Sequence, residues 1–253
     1  MKIIVIGLNV FREAIRDKIL YNLLIFSLIM ISCAGLLSTL TVGERNKIII
    51  DIGLASINLF GVLIAIFLGI SLVNKEIDKR TIYTILSKPI RRSDFLLGKY
   101  LGLSITLFVN AIVMVSVLVT ILWYLGEAFS RRIFLPIGMI YLELLVIVAV
   151  SLFFSTFTTA TLSAIFTIAV YVIGHLTGDL LGLARKASAG QEILLQVLYY
   201  LLPNLENFNY KPYAPYSIDV PYSVISFSIF YGVAYIGLLM VFSVLIFQSR
   251  EFK

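Results

Sequence analysis

Few side chains in this 253-residue sequence have the types and positions that chemistry requires. Glu143 stands alone inside a long apolar run, and His175 and Asp179 are spaced to share one face of a helix. Such a carboxylate indicates a polar contact in a pathway or at a subunit interface, or a carboxyl held by a neighbouring Tyr or Ser. His175 and Asp179 have either a proton or metal role, or pair with each other where a helix reaches water. One His and one Cys, Cys33, without clustered carboxylates, predict no metal site.

The sequence motifs of common enzymes are missing. The "GKY" at 98–100 is not a phosphate-binding loop, because Ser93 stands where the motif needs glycine and Tyr100 replaces Ser or Thr. A single His excludes the H-E-x-x-H metalloprotease motif, and no G-x-S-x-G is present. The sequence therefore predicts no catalytic residue, no enzyme and no cofactor in this chain.

Composition places the chain in lipid. Hydrophobic residues make up 60% and charged residues 13% of the sequence, with a mean hydropathy of +1.02. Soluble domains carry about 25% charged residues, so this chain has roughly half the usual charge. Its net charge of +6 does not indicate nucleic-acid binding, because no polar segment is long enough to fold as a basic domain. We predict an all-α integral membrane protein in contact with membrane lipids.

Six apolar runs are long enough to cross a hydrocarbon core about 30 Å thick, at about 1.5 Å per helical residue. They are 19–40, 52–73, 100–125, 133–157, 161–183 and 222–247. The fourth and fifth runs are separated only by "STFTTA", which predicts a tight hairpin whose Ser and Thr side chains bond the released backbone groups.

Residues 1–18 precede the first run and carry an apolar face opposite a charged one. This predicts an amphipathic elbow helix at the membrane interface; the alternative is an extension of the first span. The apolar face comprises Ile4, Leu8, Phe11 and Ile15.

The distribution of basic residues orients these spans. With the N-terminus inside, 13 of the 20 Lys and Arg residues lie on the cytoplasmic side and 7 on the outer side. That bias predicts a plasma (inner) membrane protein with both termini cytoplasmic. The outer segment 184–221 is rich in Tyr and Pro, and we expect one or two short helices at the outer leaflet. This segment is either a surface for a partner protein or a lipid-facing plug.

The cytoplasmic segment 74–99 differs from its surroundings because it is dense in charge. Glu76 and Arg80 are spaced i,i+4, which supports a helix that must end before Pro89. Ser93 is predicted to cap the next helix, with Asp94 at the positive end of its dipole. The segment is either a solvated loop that holds anionic lipid headgroups or an amphipathic helix gripped in a groove of a soluble partner.

Two stretches carry a resemblance to a known family. "KEIDKRTIYTILSKPIRRSDFLLGKYLG" resembles the cytoplasmic segment of ABC-2-type transporter permeases, especially permeases of multicopper-enzyme maturation systems such as the nitrous-oxide-reductase accessory permease. "LPNLENFN" at 202–209 is similar to a segment that those permeases carry late in the chain. The resemblance implies one transmembrane permease domain over 1–253, with the ABC-2, type V exporter-like fold. It also implies a coupling helix within 74–99.

The resemblance further implies partners and residue roles. Two permease copies, identical or related, would bind a dimer of soluble ABC ATPases that carries the ATP and Mg. The residues that contact the ATPase would be Glu76, Arg80, Thr81 and Leu86. The corner at the membrane surface would be formed by Pro89, Arg91 and Arg92. Spans two and five usually line the path between copies, which makes Asn58 and the face formed by Gly174, Gly178 and Gly182 pathway candidates. In span five, glycines at four-residue spacing form a face for close helix packing. These are Gly174, Gly178 and Gly182.

Three functions follow from these patterns. The leading hypothesis is a permease that couples ATP hydrolysis by its partner to export. A second is a mechanotransmission subunit that moves no cargo and acts on a periplasmic protein through 184–221. A third is an ion-coupled secondary transporter that needs no ATPase.

Overall fold

The computed structural model describes residues 2–39, 44–78, 91–126, 131–178, 189–215 and 220–249, with the side chains of 72–78, 131, 189, 194 and 198 excluded. Every regular element in those ranges is helical. The α-helices are α1 (Lys2–Ile15), α2 (Lys18–Ser38), α3 (Arg45–Asp78), α4 (Arg92–Tyr124), α5 (Phe134–Ser155), α6 (Ala160–His175), α7 (Ala189–Leu201) and α8 (Tyr222–Ser249). Three short 3₁₀ helices span Arg131–Ile133, Leu205–Phe208 and Lys211–Tyr213.

Five of these helices, α2, α3, α4, α5 and α8, are long and apolar enough to cross a membrane. The sixth predicted span, 161–183, corresponds to α6, an apolar helix of 16 residues. Residues 179–183 of that predicted span lie outside the described residues. The chain is a multi-pass membrane protein, and five of its six predicted spans correspond to helices of sufficient length.

Helices α3 and α5 form the centre of the bundle. They bury 67% and 61% of their most apolar stretches, against 22–33% for α2, α4 and α8. The peripheral helices expose large apolar side chains, including Trp123 at 81% and Phe230 at 75%. Water would disfavour such surfaces, whereas lipid tails are as apolar as these side chains and accept them. The buried centre is therefore the part of the molecule that can hold polar groups away from both water and lipid.

The N-terminal helix α1 lies directly against the start of α4. A Cβ added to Gly102 would stand 2.5 Å from the carbonyl oxygen of Gly7 and 2.6 Å from Cβ of Val10. A Cβ added to Gly98 would stand 2.6 Å from Cβ of Ile6. Small residues four apart thus allow two helix backbones to approach closely. The face of α1 that packs comprises Gly7, Val10 and Ala14.

The predicted apolar face of α1 is a different one. Ile4 is 63% exposed and Leu8 44% exposed, so this face is not used for packing within the chain. Exposed apolar side chains next to a packed glycine face are the arrangement expected of a helix at a lipid boundary. The position of α1 relative to a membrane stays a prediction.

Two local predictions have opposite outcomes. Between α5 and α6, the hydroxyls of Ser155, Thr156 and Thr158 donate to carbonyls three or four residues earlier at 2.7–2.8 Å, as the hairpin sequence predicted.

The predicted cap at Ser93 is wrong. Helix α4 begins at Arg92, its N-cap residue is Arg91 with no side-chain capping bond, and Asp94 lies in the first turn. In that first turn the carboxylate of Asp94 lies at the positive end of the helix dipole, as predicted.

Candidate functional site

A buried polar cluster joins α3, α5 and α6 near the centre of the bundle. Its members are Asn58 on α3, Glu143 on α5, and Tyr171 and His175 on α6. Asn58 is 2% exposed and Glu143 is fully buried. Because polar groups in an apolar interior are costly unless they bond to each other, their meeting here ties three helices to one geometry.

Asn58 is bonded at both ends of its amide. Its Nδ2 donates to Glu143 Oε2 at 2.7 Å, and its Oδ1 accepts from the Tyr171 hydroxyl at 3.0 Å. An amide nitrogen can only donate and an amide oxygen can only accept, so these two partners fix the orientation of the amide. One side chain of α3 therefore holds both α5 and α6.

His175 completes the cluster from the same helix as Tyr171. Its Nδ1 lies 3.1 Å from the backbone carbonyl oxygen of Tyr171, and its Nε2 lies 3.4 Å from Glu143 Oε1. The two aromatic rings are 4.7 Å apart between centroids and tilted by 57°. Within the described part of the chain, His175 Nε2 and Glu143 Oε1 have no hydrogen-bond partner. These two atoms face each other and are the least satisfied in the cluster.

The segment 203–214 covers this region at the end of α6. Leu205 and Phe208 are fully buried, and a Cβ at Gly174 would stand 2.8 Å from the Pro203 carbonyl oxygen. The Thr177 hydroxyl donates to Asn204 Oδ1 at 2.8 Å. The backbone N–H of Asn204 donates to the Tyr231 hydroxyl oxygen on α8, also at 2.8 Å. The stretch "LPNLENFN" is thus fastened to both α6 and α8, and we call residues 203–214 the cover segment.

Two charged residues of the cover segment act electrostatically on the cluster. Lys211 and Glu206 influence both Glu143 and His175. These two residues carry opposite charges, so their electrostatic effects on the cluster oppose each other. Within the described ranges no three His, Cys, Asp or Glu side chains meet, and the cluster offers too few ligands for a metal ion.

The structure brings together three residues that the sequence marked separately: Asn58, Glu143 and His175. Asp179 and Gly182 lie outside the described residues. Gly174 packs against the cover segment of its own chain, and a Cβ at Gly178 would meet nothing within 4 Å in the described structure. Tyr171 was not predicted from the sequence as a member of the site, although its position four residues before His175 puts both side chains on one helix face.

A second region of interest lies where α4 begins and α8 ends. Arg92 Nη1 donates to the carbonyl oxygens of Phe247 at 2.8 Å and Gln248 at 2.9 Å. The Phe95 and Phe247 rings stack with centroids 5.9 Å apart. A guanidinium is well suited to the last carbonyls of a helix, which carry partial negative charge and lack intrahelical partners. We call this contact the α4–α8 clamp.

The other predicted coupling residues stand next to this clamp in sequence. Four of them, Arg80, Thr81, Leu86 and Pro89, lie within 79–90, outside the described residues. Glu76 lies near the end of α3, but its side chain is not among those described. Arg91 is described and its side chain is exposed. The clamp therefore fixes the start of α4, which is the first described helix after that segment.

Replacing Arg92 tests the clamp. We expect Arg92→Ala to lower the free energy of unfolding by about 1–3 kcal/mol, because two carbonyls at the end of α8 lose a charged donor. Thermal unfolding of the purified protein in detergent measures this loss. Arg91→Ala is the matched control, since it removes the same charge from an exposed neighbour that makes no capping bond. Equal losses in both variants would contradict a specific clamp.

These observations define a class: a helical, multi-pass membrane protein with an internally bonded polar centre and, in its described ranges, no metal-binding cluster. Residues 8–252 match the family described as ABC-2 family transporter protein, and the chain belongs to that family. None of the curated proteins matches the chain. The predicted resemblance to ABC-2 permeases is thereby confirmed at the level of the family. The similarity to permeases of nitrous-oxide-reductase maturation stays a prediction.

Proposed function

We propose that this protein is the membrane permease of an ATP-driven exporter in the plasma membrane, with both termini in the cytoplasm. Two copies would assemble with two soluble ABC ATPases, which bind ATP and Mg and supply the free energy. The family match over 8–252 supports this proposal, because membrane proteins of ABC transporters work with separate ATP-hydrolysing subunits. A periplasmic protein is a further candidate partner.

The observation that carries the proposal is the joining of α1, α4 and α8 at the helix that follows the charged segment in sequence. Helix α1 packs on the start of α4 through Gly7 and Gly102, and the α4–α8 clamp joins the start of α4 to the end of α8. Segment 79–90 connects α3 to this assembly. A force applied to a coupling helix in that segment would reach α1, α3, α4 and α8 together.

This arrangement favours coupling over a simple solvated loop. A loop that only held lipid headgroups would need no rigid attachment to the transmembrane helices. A coupling helix does need one, because it must transmit a displacement of the ATPase to those helices. The positive-inside bias also supports a cytoplasmic position, since 13 of 20 basic residues lie on the side of this segment. In the proposal Glu76, Arg80, Thr81 and Leu86 contact the ATPase, and Pro89, Arg91 and Arg92 shape the corner.

Coupling is tested with the chain co-expressed with a candidate soluble ABC ATPase and reconstituted in liposomes. We expect the ATPase to co-purify with the wild-type chain, and Glu76→Ala or Arg80→Ala to release or uncouple it, because each removes a charged contact. ATP hydrolysis per complex and the amount of retained ATPase are the measurements. Lys47→Ala is the control, since Lys47 pairs locally with Glu44 at the other end of α3.

Full ATPase binding and coupling in both variants would show that 74–99 is not the coupling segment. Transport that proceeds in liposomes without nucleotide would instead favour the ion-coupled secondary transporter.

A second function, mechanotransmission to an extracytoplasmic partner, is favoured by the surface of α7. Ile193, Val197 and Tyr200 are 65%, 53% and 81% exposed and follow one another at helical spacing. Such a row is typical of a helix that rests on lipid or on another protein. Site-specific cross-linking from Val197 separates these cases, because a periplasmic protein captured there in the absence of any exported cargo supports mechanotransmission.

A further inference from the structure

The contact between Glu143 and His175 brings two buried polar atoms together without a second partner for either. Glu143 Oε1 and His175 Nε2 lie 3.4 Å apart, and neither has another hydrogen-bond partner in the described structure. Glu143 is fully buried, and the side chain of His175 is 21% exposed. Two polar atoms placed this close in an apolar centre must either share a hydrogen or repel each other.

The neighbours of the pair determine where that hydrogen can lie. A carbonyl oxygen only accepts, so His175 Nδ1 must donate its N–H to the Tyr171 backbone carbonyl. Glu143 Oε2 already accepts from Asn58. Only Glu143 Oε1 and His175 Nε2 remain, and without an additional proton both present lone pairs to each other.

One proton resolves this conflict in either of two ways. A carboxylic O–H of Glu143 can donate to the neutral imidazole, or an imidazolium N–H of His175 can donate to the carboxylate. In both cases the pair has no net charge, which a medium of low dielectric constant strongly favours. Removing the proton leaves a buried carboxylate opposite a lone pair.

We propose that Glu143 Oε1 and His175 Nε2 form an intramembrane proton-binding site, which holds one proton and thereby fastens α6 to α5. Its ligand is a proton, and its chemistry is reversible transfer between a carboxyl and an imidazole. The charged groups that act on it from the cover segment are Lys211 and Glu206, which oppose each other. From α3 it meets only the neutral amide of Asn58 and from α6 the hydroxyl-bearing Tyr171 among the described contacts of the cluster.

The proton-binding site lies at one end of a series of hydrogen bonds that runs from the centre of the bundle to the cover segment. Two residues beyond His175, Thr177 bonds Asn204 of the cover segment, and Asn204 bonds Tyr231 of α8. Loss of the proton would make Glu143 Oε1 and His175 Nε2 repel each other and would weaken the packing contact between α5 and α6. The site goes beyond the proposed exporter function, since a proton can bind there with or without nucleotide.

Infrared spectroscopy of the full-length chain in liposomes tests the site directly. As the pH is raised, we expect the wild type to lose a protonated-carboxyl or an imidazolium signal that shifts in heavy water. Glu143→Gln should lack this signal, because its amide donates permanently to His175 Nε2 and accepts from Asn58 without titrating. Asp51→Asn is the control, since it removes an exposed carboxyl from α3 and should retain the signal. An unchanged signal in Glu143→Gln would overturn the proposal.

The pH dependence of stability gives a second measurement. The folded pair holds one proton, whereas an unfolded glutamate and histidine together hold none above about pH 7, so stability should fall as pH rises beyond that value until the site itself releases its proton. The midpoint of thermal unfolding should drop by roughly 3 °C per pH unit in the wild type relative to Glu143→Gln. Parallel curves for the two proteins would overturn the proposal. Neither measurement uses ATP or an ATPase, so failure of the exporter assay would leave this result intact.

Discussion

Gly102→Ala is expected to separate α1 from α4 and to destabilise the protein strongly for a change of one methyl group. The added Cβ would stand 2.5 Å from the backbone oxygen of Gly7 and 2.6 Å from Val10 Cβ. A backbone oxygen cannot move away as a flexible side chain can, so α1 must shift as a whole. Overpacking of this kind costs about 1–3 kcal/mol, and occasionally more.

Thermal unfolding in detergent, together with protease sensitivity of residues 2–15, measures this separation. Gly138→Ala is the matched control: it adds the same methyl group to the interior of α5, where nothing lies within 4 Å in the described structure. Alanine is favoured over glycine in a helix by about 1 kcal/mol, so this control should be neutral or stabilising. Equal stability of the two variants would show that α1 does not depend on the glycine contact.

Asn58→Leu is expected to disrupt the polar cluster far more than its loss of hydrogen bonds alone would indicate. A hydrogen bond between membrane helices contributes about 0.6 kcal/mol on average, and at most about 1.7. The substitution also leaves the buried Glu143 Oε2 and the half-buried Tyr171 hydroxyl without their partner, and an orphaned polar group away from water costs about 1–3 kcal/mol. We therefore expect a total loss of about 3 kcal/mol, dominated by the groups left behind.

The comparison variant is Tyr171→Phe. It removes one hydroxyl and leaves the bond from Asn58 to Glu143 intact, so its cost should be about 1 kcal/mol. Chemical unfolding in mixed detergent measures both variants under one condition. If Tyr171→Phe costs as much as Asn58→Leu, the bond between Asn58 and Glu143 does not stabilise the cluster.

The sequence was a good guide to the spans because lipid imposes one simple requirement. A helix must be apolar over about 20 residues, and α2, α4, α5 and α8 satisfy this within runs visible by eye. The ends were less predictable. Helix α3 begins at Arg45, seven residues before the predicted span, since a helix can continue beyond the apolar run with charged residues. Hydropathy marks where lipid contact is favourable, not where backbone hydrogen bonding stops.

The candidate site was predicted as separate residues and not as a cluster. Glu143 and His175 were recognised because ionisable groups are costly in apolar surroundings. Their contact depends on the rotation of α5 and α6 about their axes, which a hydropathy pattern does not contain. The link from Asn58 to Tyr171 joins residues 113 apart in sequence, so only the packing of α3 against α6 brings them together. The packing face of α1 was missed for a similar reason, since glycine contributes no hydrophobic signal.

The α4–α8 clamp joins parts of the polypeptide that are made at very different times. Arg92 emerges from the ribosome early, but its acceptors at 247 and 248 are synthesised more than 150 residues later. The start of α4 therefore cannot be completed until the last helix has been inserted. A chain truncated before Phe247 would keep most of its spans and still lack this closure.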